Sequence, residues 1–212
     1  MHWRKLRFPL ILPDMPRPAR QVLPGVPHHV TQRGNSRQRV FFGDDDHAFY
    51  LSLLGDNCRK SGTSVWAWCL MPNHVHLILV PSHADGLRAA LAPTHTRYAI
   101  ETNRRNGWCG HFWQARFGSF PMDEAHLHAC LRYVELNPVR AGLAARPEGW
   151  RWSSARAHLG LAADGLTDLA PARGRIDDWR AFLDSGLDEE DRDAIRDAER
   201  TGRLRLKSPR RR

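Results

Sequence analysis

The stretch LMPNHVHLILV, residues 70–80, decides the fold. A Met-Pro-Asn turn separates two apolar segments, TSVWAWCL (63–70) and HVHLILV (74–80), and this pattern predicts an antiparallel hairpin. Side chains on a strand alternate between its faces, so His74 and His76 share one face of the second strand. Their Cα atoms would lie about 7 Å apart, which lets both imidazoles reach one divalent ion. Histidines that bind no metal remain an equally good interpretation of this pair alone.

The segments around the hairpin complete an alternating pattern of strands and helices. HHVTQR (28–33) predicts a strand, and DDDHAFYLSLLGDNCRKSG (44–62) predicts a helix with acidic residues at its start. After the hairpin we expect a helix near 85–105, a strand near 116–122 and a helix capped by Asp123. The order β-α-β-β-α-β-α predicts an α+β fold: a ferredoxin-like antiparallel sheet with helices on one face, followed by a helical C-terminal extension.

The chain divides by composition into three segments. We expect residues 1–24 to be a disordered, basic, Pro-rich tail and residues 25–160 to form the folded domain. Residues 161–212 form the C-terminal extension, with a charged helix near 188–200 and a basic tail. Because the first residues show no useful period, we expect Met15 to be a possible natural start and the segment before it to be dispensable.

The composition favours a nucleic-acid partner. The net charge is +9 and comes almost entirely from arginine, which suits phosphates and base edges. No segment is long and apolar enough to span a membrane, so we expect a cytoplasmic protein. None of the cysteines forms a CxxC pair, which favours reduced thiols and disfavours a zinc-binding structural domain. The four are Cys58, Cys69, Cys109 and Cys130.

The segment RYVELNPVRAGL, residues 132–143, carries a second pair of polar residues. Tyr133 and Asn137 are four residues apart and would share one side of a helix that Pro138 terminates. Tyr133 lies beside the apolar stripe of this helix, where its hydroxyl could point towards the histidines. A structural tyrosine bonded to a backbone carbonyl is the better interpretation of such a residue taken alone.

Four segments together resemble a known family. HHVTQRGNSRQRVFF, AWCLMPNHVHLILV, NRRNGWCGHFWQARFGSFPMDE and RYVELNPVRAGL occur in the order and at the spacing found in REP-associated tyrosine transposases. These proteins are bacterial relatives of the single-tyrosine HUH transposases of insertion sequences. The resemblance covers about residues 17–160, and the HUH signature corresponds to His74-Val75-His76.

The resemblance implies a metal-dependent single-strand DNA endonuclease and strand transferase. It implies that Tyr133 is the nucleophile, that a 5′-phosphotyrosine forms, and that REP-type hairpin DNA is the substrate. His74, His76 and Asn137 would hold Mg²⁺ or Mn²⁺, with Asn137 the least specific match. Tyr98 is a competing nucleophile, disfavoured by its position. A catalytically silent protein that binds DNA hairpins is the alternative function.

A basic surface with interleaved aromatic residues would bind the DNA. Arginine binds phosphates, and exposed aromatic rings stack on unpaired bases, although some of these rings could instead belong to the core. The basic C-terminal tail could clamp the backbone without sequence preference, or could simply be solvated. We expect a monomer or homodimer that binds single-stranded or hairpin DNA. The candidate DNA-binding residues are Arg33, Asn35, Arg37, Arg104, Arg105, Trp108 and Arg116.

Overall fold

A computed structural model describes residues 21–202 of the chain. The expectations about a dispensable start before Met15 and about the basic tail from residue 203 onwards lie outside this range. Within it, no helix is both long enough and apolar enough to cross a lipid bilayer.

A four-stranded sheet forms the centre of the molecule. Its strands are β1 (His28–Arg33), β2 (Thr63–Met71), β3 (His74–Pro81) and β4 (Gly118–Pro121). Their order across the sheet is β2-β3-β1-β4, and every neighbouring pair is antiparallel. This is the strand order of a ferredoxin-like sheet, so the predicted α+β fold and the predicted hairpin are confirmed.

Two long helices cover one face of the sheet. They are α1 (Asp44–Lys60) and α2 (Gly86–Asn106), and they pack on the face that carries Val75, Leu77 and Leu79 of β3. All three side chains are fully buried. The alternating pattern of β3 therefore sends its aliphatic positions 75, 77 and 79 to a closed apolar core, as strand geometry requires.

The opposite face is covered by α3 (Glu124–Glu135) and by α8 (Glu189–Thr201) of the C-terminal extension. The Asp123 side chain caps α3, as expected, by accepting a hydrogen bond from the backbone N–H of His126. We predicted helices on one face of the sheet, whereas helices cover both faces. The reason is that β2 and β3 carry apolar side chains at consecutive positions, so both faces need to be buried.

Four short helices connect α3 to α8 and complete the second face. A buried carboxylate, Glu135 at the end of α3, anchors two of them. It accepts hydrogen bonds from Ser154 Oγ at 2.7 Å, from His158 Nδ1 at 2.5 Å and from Trp179 Nε1 at 2.8 Å. The short helices are α4 (Asn137–Arg140), α5 (Ala155–His158), α6 (Ala170–Arg173) and α7 (Trp179–Asp184).

Candidate active site

Tyr133 of α3 meets the histidines of the sheet. Its ring stands edge-on to His76 of β3, with ring centroids 5.4 Å apart, and it lies 6.0 Å from the ring of His29 on β1. The chain has two other tyrosines, and both belong to the opposite face. The hydroxyl of Tyr98 donates to the Val40 carbonyl at 2.6 Å, and that of Tyr50 bonds to a histidine ring. Tyr133 is therefore the tyrosine positioned beside β3, the strand that carries the His74-Val75-His76 motif.

Three imidazoles lie together at this point of the sheet. The rings of His29 and His76 are stacked, with His29 Nε2 3.1 Å from His76 Nδ1, so one ring N–H donates to the other nitrogen. His74 stands edge-on to His76 and bonds through Nδ1 to Asn73 Oδ1. Burial lowers the pKa of His29 and of His74 to about 3, and that of His76 far below its usual range. Neutral imidazole is the form that binds metal.

Glu199 of α8 brings a carboxylate to the two stacked rings. Its Oε1 lies 3.4 Å from His76 Nδ1 and 3.9 Å from His29 Nε2. This oxygen is buried and accepts no hydrogen bond within the described residues. Burial raises the pKa of Glu199 to about 7, and nearby arginines oppose that rise. Two neutral imidazoles and one carboxylate are a donor set that a divalent metal ion fits.

Three arginines make the surroundings of Tyr133 cationic. The Arg140 guanidinium lies over the Tyr133 ring, 4.5 Å from its centroid. Arg196 lowers the pKa of Tyr133, and Arg33 acts on Glu199 and on His76 through its charge. Burial raises the pKa of Tyr133, the Glu199 carboxylate adds to the rise, and Arg140 and Arg196 oppose it. Such a pocket suits a phosphate group next to a tyrosine hydroxyl.

The structure brings together only part of the predicted metal site. Within residues 21–202 the one cluster of three metal-binding side chains is His29, His76 and Glu199, which does not include His74. Asn137, at the start of α4, is buried, and its Nδ2 has no hydrogen-bond partner among the described residues. His29 could have been suspected from the His-His pair that opens β1. Glu199 had no local signal, because its position depends on how the extension folds back.

The loop after β1 carries Asn35 and Arg37, two of the predicted DNA-binding residues. Gly34 is needed here because of a close approach of the backbone. Its backbone is extended, but a Cβ at this position would collide with the carbonyl of Gln38. The left-handed positions are Ser36 and Arg37, with φ of 50° and 60°. The loop is therefore a constrained surface feature, and the Arg37 side chain is exposed on it.

The predicted basic patch at the end of α2 is partly neutralised within the protein. Arg104 pairs with Glu101 at 2.7 Å, in an exposed ion pair. Arg105 pairs at 2.6 Å with the buried carboxylate of Asp46 on α1. Arg105 therefore has a structural partner, whereas the guanidinium of Arg104 remains on the surface.

The predicted aromatic contact at Trp108 is exposed. Its ring is 43% accessible and stands edge-on to Phe42, which is 44% accessible, with centroids 5.5 Å apart. Arg116 is exposed as well. Phe112 is buried, and Trp113 is partly buried against the core between the sheet and helices α1 and α2. This is as expected for some of the aromatic residues in this segment. Phe42 was not among the predicted residues, because a Phe beside a helix start usually belongs to the core.

Comparison with known proteins identifies the family. Residues 24–137 match the family model described as transposase IS200 like. A solved structure of a REP-associated tyrosine transposase bound to a REP hairpin is similar, with a TM-score of 0.58 at 18% identity, covering 73% of this chain and 90% of that one. At that identity the likeness supports the shared fold.

A second structure, of a protein assigned as a transposase from Deinococcus radiodurans R1, aligns with a TM-score of 0.40 at 21% identity. It covers 56% of this chain and 95% of that one. No curated protein matches the sequence. The family model spans more than half of the residues, and on that match the chain belongs to the IS200-like transposases, with a transposase-like, DNA-directed function.

Proposed function

We propose that the protein is a metal-dependent single-strand DNA endonuclease and strand transferase that acts on REP-type hairpins. The observation that carries this proposal is the contact between Tyr133 and His76 inside a pocket with three arginines. A tyrosine hydroxyl, an imidazole and cationic guanidiniums thereby meet at one point. These are the groups that phosphodiester transfer to a side chain requires.

Tyr133 would attack the scissile phosphorus. Its hydroxyl loses a proton to solvent or to a neighbouring base, the phenolate oxygen forms a bond to phosphorus, and the bond from phosphorus to the 3′ oxygen breaks. The products are a 5′-phosphotyrosine and a free 3′-OH, which takes up a proton. Since the phosphodiester energy is kept in the covalent link, a 3′-OH can reverse the step and rejoin strands.

Arginines would supply the charge that this step needs. A phenol has an unperturbed pKa near 10, and burial raises the pKa of Tyr133 above that value. Arg140 and Arg196 oppose the rise, so both stabilise the phenolate. The same guanidiniums would bind the non-bridging oxygens of the phosphate and hold it in line with the hydroxyl.

His76 would hold the divalent ion, Mg²⁺ or Mn²⁺. His74, the other histidine of the HUH motif, would be the second ligand, and Asn137, one turn beyond Tyr133, would be the third. A divalent ion supplies polarisation of the phosphate and helps to orient it. His74 and His76 are kept neutral by burial, as ligands must be, and the mixture of nitrogen and oxygen donors suits Mn²⁺ better than Mg²⁺.

Polar, basic and aromatic groups in two segments would bind the DNA outside the active site. Asn35 and Arg37 follow β1, and Arg104, Trp108 and Arg116 lie at and after the end of α2. Trp108 would stack on an unpaired base, and the arginines would bind phosphates. Arg33, which was predicted as a DNA contact, faces the charged groups of the site and would bind the phosphate there. Arg105 would chiefly hold α1 to α2.

The experiment is the capture of a covalent adduct. The full chain is incubated with Mn²⁺ and a labelled single strand that carries a REP-type hairpin, and the products are separated under denaturing conditions. We expect a protein–DNA adduct with the unmodified chain and with Tyr98→Phe, and none with Tyr133→Phe, while hairpin binding by Tyr133→Phe persists. An adduct that survives Tyr133→Phe would exclude this tyrosine as the nucleophile. Hairpin binding without any adduct would favour the catalytically silent alternative.

A further inference from the structure

The turn between β2 and β3 carries a side chain that contacts the histidine motif. Asn73 is the second residue of this turn and directly precedes His74, the first residue of β3. Its amide group makes two hydrogen bonds. Nδ2 donates to the backbone carbonyl of Arg37 at 3.1 Å, and Oδ1 lies 2.6 Å from Nδ1 of His74. Asn73 therefore joins the loop after β1 to a histidine of the proposed metal site.

The carbonyl of Arg37 decides which way the Asn73 amide faces. A carbonyl oxygen can only accept a hydrogen bond, so the end of the amide beside it must be the NH₂ group. The end that faces His74 is then the amide oxygen, which also only accepts. Nδ1 of His74 must therefore carry a proton and donate it to Oδ1 of Asn73. Because an imidazole that binds metal is neutral and has one protonated nitrogen, Nε2 of His74 keeps the free lone pair.

The hydrogen bond of the second histidine of the motif does not have this property. Nδ1 of His76 lies 3.1 Å from Nε2 of His29, and either imidazole can be the donor in a bond between two rings. His74 is thus the histidine of the motif whose Nδ1 faces a group that can only accept.

Backbone hydrogen bonds hold the Arg37 carbonyl in place. The N–H groups of Gly34 and Val40, on either side of it, donate to the carbonyls of Asn73 and Pro72 at 3.0 and 2.8 Å. Arg37 itself has a left-handed backbone, with φ of 60°, which a residue with a side chain keeps only where its surroundings impose it. The loop and the turn therefore form one bonded unit, and the side chain of Asn73 lies at its centre.

We propose that Asn73 is a positioning residue for the metal site: it holds the proton of His74 on Nδ1, so that Nε2 is free to bind the ion. It also ties this histidine to the loop that carries Asn35 and Arg37. The inference rests on the proposed function and deepens it by adding the group that orients one of the proposed ligands. Hydrogen-bond partners of this kind set the tautomer and the ring orientation of metal-binding histidines.

The first test reads the tautomer of His74 in the full chain without metal or DNA. In nuclear magnetic resonance spectra of the chain labelled with ¹⁵N-histidine, protonated and unprotonated ring nitrogens have well separated shifts. The spectrum of His74→Ala assigns the His74 signals. We expect a proton on Nδ1 in the unmodified chain. Asn73→Ala removes the acceptor and should populate the form with the proton on Nε2, whereas Asn73→Asp keeps an oxygen acceptor and should retain the proton on Nδ1.

The second test measures Mn²⁺ binding, again without DNA. The electron paramagnetic resonance signal of free Mn²⁺ disappears on binding, which gives the Kd. We expect Asn73→Ala to raise the Kd about 10–100-fold, the usual effect of losing such a partner, and Asn73→Asp to restore most of the affinity. Asn103→Ala is the matched control. It removes an amide that donates to another loop carbonyl, that of Gly110 at 3.3 Å, and should bind Mn²⁺ as the unmodified chain does.

The outcomes separate this inference from the proposed function. Melting of the metal-free variants shows that each is folded. A His74 proton on Nε2 in the unmodified chain would overturn the inference, and so would equal Kd values for Asn73→Ala and Asn103→Ala. Binding by Asn73→Asp as weak as that of Asn73→Ala would assign the effect to the loop and also overturn it. In each case, adduct formation by the unmodified chain would leave the proposed function standing. The expected tautomer and Kd values in a chain that forms no adduct would contradict only the proposed function.

Discussion

The two faces of the sheet pair a tyrosine with a histidine, and they do so in opposite ways. On the face covered by α1 and α2, the hydroxyl of Tyr50 bonds to His95 Nε2 at 2.9 Å, and the two rings are nearly parallel. On the other face, Tyr133 stands edge-on to His76, beside buried polar atoms that have no hydrogen-bond partner within residues 21–202. The first pair completes a core. No hydrogen bond joins the members of the second pair within the described residues, and the pair lies in a cationic pocket, which is what distinguishes a site from a core.

The largest expected effect distinguishes His76, at the proposed active site, from His95, in the core of the other face. His76→Ala removes a proposed metal ligand and should reduce adduct formation on the order of a thousandfold, because an ion contributes several kcal/mol to charge stabilisation. Hairpin affinity should change far less, since it depends mainly on arginine–phosphate contacts. A chelator should have the same effect on the unmodified chain. His95→Ala should instead lower the melting temperature. Undiminished cleavage in the presence of EDTA would remove the metal from the mechanism.

The next effect concerns the buried hydrogen-bond network of Glu135 on the second face. Glu135→Ala leaves Ser154, His158 and Trp179 without their shared buried acceptor. We expect a loss of about 3 kcal/mol or more in the free energy of unfolding, measured by urea denaturation. Glu124→Ala, on the same helix, removes an exposed ion pair with Arg175 and should cost little. Similar unfolding midpoints for the two variants would show that the buried network is not what stabilises this face.

The first face was largely predictable and the second was not. Alternation in HVHLILV indicated that Val75, Leu77 and Leu79 share a face, and the hairpin followed from the turn between two apolar runs. Both depend on neighbours in the sequence. The likeness of Tyr133 to a family nucleophile came from short motifs of the same kind. Glu199 reaches His76 across 123 residues, through the packing of α8. The spacing from the buried Ile195 indicates that Glu199 faces inwards, but no local pattern indicates which part of the sheet that side of α8 meets.

The positions of the helices show the same limit of what local sequence patterns can predict. Helix α1 connects β1 to β2, and helix α2 connects β3 to β4. The strand order places both helices on one face. Coverage of the other face depends on residues after 137, where α4 to α7 are helices of four to six residues. Segments that short carry little periodic signal, and their positions are determined by contacts such as those of Glu135. The division into a tail, a domain and an extension stays a prediction.

A smaller effect compares how much Tyr98 and Tyr133 contribute to stability. Tyr98→Phe leaves the buried carbonyl of Val40 without its donor and should destabilise the fold by about 1–2 kcal/mol. Adduct formation below the melting temperature should be unchanged. Tyr133→Phe should have the reverse profile, with little loss of stability and no adduct. Thermal melting and the adduct assay on the same preparations compare the two faces directly, and a Tyr98→Phe chain that melts normally but forms no adduct would invert the assignment.

The smallest effect concerns Arg104 and Arg116, two exposed arginines among the predicted DNA-binding residues. Arg116 is exposed, and no carboxylate in the described part of the chain forms an ion pair with it, whereas Arg104 already pairs with Glu101. An arginine that neutralises a phosphate releases about one counterion, so Arg116→Ala should flatten the slope of log affinity against log salt by about 1. Arg104→Ala should change that slope less, because its charge is already compensated and part of the gain on binding DNA is spent in breaking the ion pair. Hairpin binding measured over a series of salt concentrations decides between them. Equal slopes for both variants and the unmodified chain would place the phosphate contacts elsewhere, and the arginines around Tyr133 would then account for more of the affinity.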